Sequence, residues 1–165
     1  MVKMRPQISH DDRFAILDLV SIYGHMLDSG EIEAWIDLFT LDAIYTLPTR
    51  SLEGREAIRE WIVGLVALRD PSIQTRHHTT NTVLFPEDED RVLGRSMLFM
   101  TAQPRGPASG EAIPLRVAED ERARLTLTGL YGDVFTRTSE GWRFQSRRAD
   151  VDFAFDPKFA ELVRS

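Results

Sequence analysis

The chain has 165 residues, 42% of them hydrophobic and 28% charged, with a net charge of -6. That suits one folded domain with a sizeable core and argues against a nucleic-acid partner or a basic membrane-binding surface. Cysteine is absent, which excludes disulfides, thiolate metal ligands and a cysteine nucleophile.

The first twelve residues are polar and lack the apolar core of a signal peptide. No apolar run is long enough to span a bilayer, so a soluble cytoplasmic protein is expected. His10-Asp11-Asp12 offers acidic cap residues before a helical pattern in which Ile16, Val20, Tyr23 and Leu27 recur on one stripe. Ser29-Gly30 ends that helix, glycine being the usual residue just past a helix. Residues 31–39, with Trp35, Leu38 and Phe39, read as a second short helix. Residues 43–47 read as a strand stopped by Pro48. Residues 52–58 lead into a third helix whose apolar side carries Ile58, Ile62, Leu65 and Leu68, and Pro71 ends it.

From residue 74 the pattern changes to period two. Strands are expected over 74–85, 91–103, 122–138 and 141–153, with an acidic turn at 86–90 and a hairpin turn at Ser139-Glu140-Gly141. Residues 104–121 hold three prolines and two glycines and are long for a hairpin connection. A mobile lid over a pocket and a plain excursion are equally weighted there. Residues 156–163 read as a short terminal helix. With no repeat and no second domain, residues 1–165 form one α+β domain. Its mostly antiparallel, strongly curved sheet wraps on N-terminal helices as a cone-shaped barrel with an internal pocket.

Two distant segments carry chemistry. Tyr23 to Gly30 places a phenol and the carboxylate of Asp28 at a helix terminus. Arg76 to Asn81 opens a strand with His77 and Asn81 on one face. An acid that orients a histidine, with a phenol nearby, is a general acid–base arrangement. Asp28 also reads as a mere helix terminator, although an acid there meets the negative end of the helix dipole. On residue types alone the two readings stand level. His78 points to the opposite strand face, and the adjacent histidines cannot readily share one metal. His25 and His10 read as surface residues.

Asn81 reads either as a pocket residue that orients a substrate oxygen or as a partner of buried backbone, the pocket being favoured. Tyr23, Tyr131 and Tyr45 are each either pocket hydroxyls or core aromatics, the core reading being favoured for Tyr45. Trp35, Trp61, Trp142, Phe39 and Phe144 are expected in the core. The run from Arg147 to Asp152 alternates charges and reads as a solvated face or an ionic subunit contact, with a catalytic arginine as the minority reading.

Several segments together resemble the SnoaL-like members of the nuclear transport factor 2-like superfamily. They are Tyr23 to Gly30, Leu38-Phe39-Thr40-Leu41-Asp42-Ala43, Gly54-Arg55-Glu56-Ala57-Ile58, His77-His78-Thr79-Thr80-Asn81, Gly129-Leu130-Tyr131 and Gly141-Trp142-Arg143-Phe144. Within that superfamily the chain is most similar to the scytalone dehydratase, hexachlorocyclohexane dehydrochlorinase and bile-acid dehydratase group. The resemblance implies an aspartate–histidine pair at Asp28 and His77, with Tyr23 matching the tyrosine of the bile-acid dehydratases. It also implies neither a metal nor an organic cofactor. The second histidine of scytalone dehydratase is missing, the nearest positions being Ser96 and Ala102. That enzyme's substrate-binding asparagine falls on Tyr131, and the arginine of the bile-acid dehydratases falls near Val151.

These readings lead to a cofactor-independent lyase or isomerase acting on a small apolar cyclic substrate. Asp28, His77 and Tyr23 are its catalytic candidates, and Asn81, Tyr131 and Tyr45 its substrate-binding candidates. The alternative is a non-catalytic β subunit of an aromatic-ring-hydroxylating dioxygenase, or a small-ligand-binding scaffold. A homodimer or homotrimer is expected on the apolar character of the outer sheet face.

Overall fold

The computed structural model describes residues 7–105 and 123–154. The expected excursion at 104–121, beyond Arg105, and the expected terminal helix at 156–163 lie outside the described residues. The elements run α1 (His10–Ser29), α2 (Ile32–Ile36), β1 (Phe39–Leu47), β2 (Arg50–Glu53), α3 (Arg55–Ala67), β3 (Ile73–Pro86), β4 (Arg91–Pro104), β5 (Arg124–Thr138) and β6 (Gly141–Ala154). Among the described residues no helix is long and apolar enough to cross a membrane.

The cap of α1 is Ser9, one residue before the expected acidic cluster. Its hydroxyl accepts from the Asp12 amide at 3.0 Å and donates to the Asp12 carboxylate at 2.6 Å, a reciprocal cap that a serine three residues before an acid makes well. At the other end Gly30 adopts φ 79°, and its amide closes on the Met26 carbonyl. Left-handed backbone of that kind suits glycine.

Two expectations change between Glu31 and Glu53. The second helix stops at Ile36, and the strand that follows starts at Phe39, four residues earlier than the sequence suggests. Leu38 and Phe39 are apolar in either conformation, so periodicity alone does not assign them. Arg50–Glu53 forms a short strand paired antiparallel with β1, overlapping at residues 52 and 53 the expected lead into α3.

The six strands lie in the order β2-β1-β6-β5-β4-β3. All pairings are antiparallel except β1 with β6. Register shifts interrupt the β1/β6, β3/β4, β4/β5 and β5/β6 ladders, and bulges of this kind bend a sheet. Helix α1 packs chiefly on β3 and β6. These strands are separated by β4 and β5, so the sheet must curl around the helix. The core carries Ile16, Trp35, Phe39, Ile58, Phe135 and Phe144, all fully buried. Beside it lies a cavity lined from α1, α3 and the sheet.

Candidate active site

Asp28 and His77 meet where α1 crosses β3. The crossing is close because residue 24 is glycine: a Cβ there would lie 3.2 Å from the His77 carbonyl oxygen. One helical turn later the Asp28 carboxylate takes two hydrogen bonds from His77. Oδ2 accepts the backbone N–H at 2.8 Å, and Oδ1 lies 2.6 Å from the ring Nδ1. The His77 and Asp28 side chains are only 8% and 6% exposed.

An acid in the last turn of a helix is opposed by the dipole. Here two N–H groups of β3 offset that cost. Arg69 adds to the compensation by donating from Nη1 to the Leu27 carbonyl at 2.9 Å. In a neutral ring, a carboxylate facing Nδ1 favours the tautomer that carries the proton there and leaves the lone pair on Nε2.

His77 lines a cavity of about 150 Å³, a volume that elsewhere holds a benzene-sized ring. Most of its wall is apolar, with Trp61, Ile62, Leu65, Leu98, Met100 and Leu127 among the contributors. The lining residues that carry polar side-chain atoms are His77, Thr75, Arg69, Tyr23, Tyr45 and Tyr131. Asp28 does not line this cavity; with His77 it borders a second depression that also touches His25 and His78.

All three tyrosines of the chain line this one cavity. The Tyr23 and Tyr45 hydroxyls are 3.1 Å apart, and Tyr131 packs edge-on to Tyr23 with ring centroids 5.9 Å apart. Burial, followed by the neighbouring Tyr23, pushes the Tyr45 and Tyr131 phenols well above their ordinary value. Both groups therefore stay protonated and able to donate. The unfolded chain would ionise near 10.0, where the folded one does not, so these two groups contribute stability that is lost as pH rises past that value. In an ultraviolet phenolate titration, no more than one of the three tyrosines is expected to ionise below about pH 11 while the protein stays folded. Ionisation of two or more in the native protein would contradict this environment.

Beneath the tyrosines lies a group that the sequence reading misplaces. Arg147, expected on a solvated or subunit-facing strand surface, is wholly buried with Asp133. Its Nε and Nη2 each donate to one Asp133 oxygen at 2.8 Å. The guanidinium carbon sits 4.0 Å from the ring centroids of both Tyr23 and Tyr131, and 4.2 Å from that of Phe144, which is cation–π distance. Burial works against this charge, but the Asp133 carboxylate more than offsets it and holds the group above its ordinary value.

Asn81 does not join the site. The ladder slips between Thr80 and Val83, and Asn81 takes φ 53°. Its side chain is exposed, with Nδ2 donating to Met97 Sδ at 3.3 Å. Asparagine tolerates left-handed backbone better than most residues, so it serves the bulge. His78 does face away from the cavity, stacked on Phe99 with its Nε2 3.2 Å from the Thr101 hydroxyl. His10 and His25 are exposed. Among the described residues no three His, Cys, Asp or Glu side chains converge as a metal set.

N-terminal helices on a curved, mostly antiparallel sheet, with a cavity between them, define a nuclear transport factor 2-like fold. The same architecture occurs in solved structures from Novosphingobium aromaticivorans. A nuclear transport factor 2-like protein with a cystatin-like fold is 21% identical over 92% of this chain and 88% of its own, with a TM-score of 0.66. A protein provisionally named scytalone dehydratase is 21% identical over 87% and 86%, with a TM-score of 0.69. The β subunit of a provisionally named aromatic-ring-hydroxylating dioxygenase is 20% identical over 84% and 88%, with a TM-score of 0.66. No curated protein matches the chain. The family profile described as SnoaL-like domain matches residues 9–148, and the chain belongs to that family.

Proposed function

We propose that the protein is an acid–base lyase or isomerase of the dehydratase kind, acting on a small, mostly apolar cyclic substrate. One observation carries this reading. His77 is fixed through Nδ1 by Asp28 at 2.6 Å and lines a cavity that Tyr23, Tyr45 and Tyr131 also line. Nε2 takes a carbon-bound proton from the position next to a substrate carbonyl, and the Asp28 carboxylate stabilises the imidazolium that forms. The electron pair left on carbon moves into the carbonyl, and the resulting enolate oxygen accepts hydrogen bonds from the tyrosine cluster.

The enolate then collapses by one of two routes. Expulsion of a hydroxyl group on the next carbon, which leaves as water with the proton held by His77, is dehydration. Return of that proton to a different carbon is isomerisation. The structural likeness to a provisionally named dehydratase agrees with this reading at the level of fold.

Both routes begin with removal of a carbon-bound proton, so the test need not presuppose the substrate. The protein is incubated in deuterated water with small cyclic ketones and β-hydroxyketones, and solvent deuterium entering carbon is followed by NMR. His77→Ala is expected to slow that exchange by about 10²–10⁴-fold with an unchanged circular dichroism spectrum. Exchange at the parent rate in this variant, or none above buffer with the parent protein, would sink the proposal.

A further inference from the structure

The acid–base reading uses His77, Asp28 and the tyrosines and leaves the arginine of the cavity without a role. Arg69 follows α3 in the link to β3 and lines the same cavity, partly buried beside Leu65 and Leu68. Its Nη1 donates to the Leu27 carbonyl at 2.9 Å. Among the described residues no carboxylate forms an ion pair with it. Asp28 acts on it through space, and both Asp28 oxygens are already engaged by His77.

The contrast with Arg147 is informative. That guanidinium is also enclosed by cavity-side aromatics, but Asp133 neutralises it with two hydrogen bonds. Arg69 is drawn from water without such a partner, and burial pulls it below its ordinary value while the Asp28 carboxylate works the other way. A guanidinium offers five donors in a planar fork, and the Leu27 carbonyl occupies one of them. Partial desolvation with no carboxylate bonded directly to the guanidinium is unfavourable, and an anionic oxygen entering the cavity would relieve it.

We propose that the cavity selects a small ring compound bearing a carboxylate, and that Arg69 binds this group while the apolar ring lies against the wall shared with His77 and the tyrosines. This deepens the acid–base reading by naming the substrate class, and it rests on that reading only for the ring's being a substrate. Arg69 is then a specificity-determining residue. A guanidinium–carboxylate pair is directional and charge-assisted, so the bound ring would also be oriented.

The test is a calorimetric or NMR titration of the full chain with benzoate and with benzamide, which share a ring and differ in charge. Benzoate is expected to bind about tenfold more tightly or better. In Arg69→Gln, which retains a donor for the Leu27 carbonyl, that preference is expected to vanish, with benzamide affinity unchanged. Arg69→Lys keeps the charge and should keep the preference. His77→Ala should also keep it. Equal affinities in the parent protein, no measurable benzoate binding, or a preference that survives Arg69→Gln would overturn the proposal. So would a preference erased by His77→Ala, since the carboxylate would then sit at the imidazole. Because the readout is binding, it stands apart from the deuterium-exchange result, and either proposal is able to fail alone. The parent-protein comparison holds even where a variant does not fold.

Discussion

Asp28→Asn is expected to leave the protein folded and lower turnover by about 10³–10⁴-fold, equivalent to about 4–5 kcal/mol of transition-state stabilisation. The reason lies in the two bonds that Asp28 makes. Its Oδ2 accepts from the His77 backbone amide and its Oδ1 faces Nδ1. Asparagine has one acceptor oxygen and one NH₂ group. Placing the NH₂ against the backbone amide would set two donors together in a buried site, so the oxygen stays there and the NH₂ turns to the ring. Nδ1 must then accept, the ring proton moves to Nε2, and the lone pair that takes the substrate proton is gone. The amide also carries no charge to stabilise an imidazolium. One tautomer change therefore disables the base with the fold intact. Deuterium exchange and thermal melting on the same sample check this directly. A variant that is folded and within threefold or so of the parent rate would show that Asp28 does not set the tautomer.

How much of this was legible in the sequence depended on where period two held. Asp28 and His77 were readable because both lie in regular elements before any slip. The helix stop at Gly30 fixes Asp28 in the last turn of α1, and β3 runs evenly through His77. The tyrosine cluster was legible as residues but not as a cluster, since Tyr23, Tyr45 and Tyr131 come from three elements that only tertiary packing brings together. Asn81 failed for a local reason: the slip after Thr80 turns it outward, and counting every second residue does not reveal a bulge.

The same blindness hid the Arg147–Asp133 pair. Counting back from the hairpin pairing of Thr138 with Gly141 sets Asp133 opposite Ser146. The slip between Val134 and Phe135 moves the partner to Arg147 instead, and charge alternation then looked like a solvated face. Arg69 gave no periodic signal, because it lies in an irregular link where side-chain direction is not set by a repeat.

Arg147→Met is expected to destabilise the protein by about 3–5 kcal/mol, the cost of stranding a buried carboxylate, as measured by denaturant unfolding. Asp133→Leu strands the guanidinium instead and should cost a comparable amount. Neither side chain reaches water, so the loss is not relieved by solvation. The double variant, Arg147→Met with Asp133→Leu, should be more stable than either single one, because well-packed apolar residues often replace a buried ion pair at little net cost. Single variants within about 1 kcal/mol of the parent, or a double variant less stable than both, would contradict this account. The comparison also separates stability from function. Arg147 lies over the Tyr23 and Tyr131 rings, and its charge lowers the Tyr45 and Tyr131 phenols against the larger upward effect of burial. Without that charge the phenols become weaker acids and poorer partners for a developing enolate. A double variant that folds well yet turns over slowly is therefore the expected outcome. It would mean that the ion pair is kept for the polarity it lends to the cavity and not for stability, which an apolar pair supplies as well.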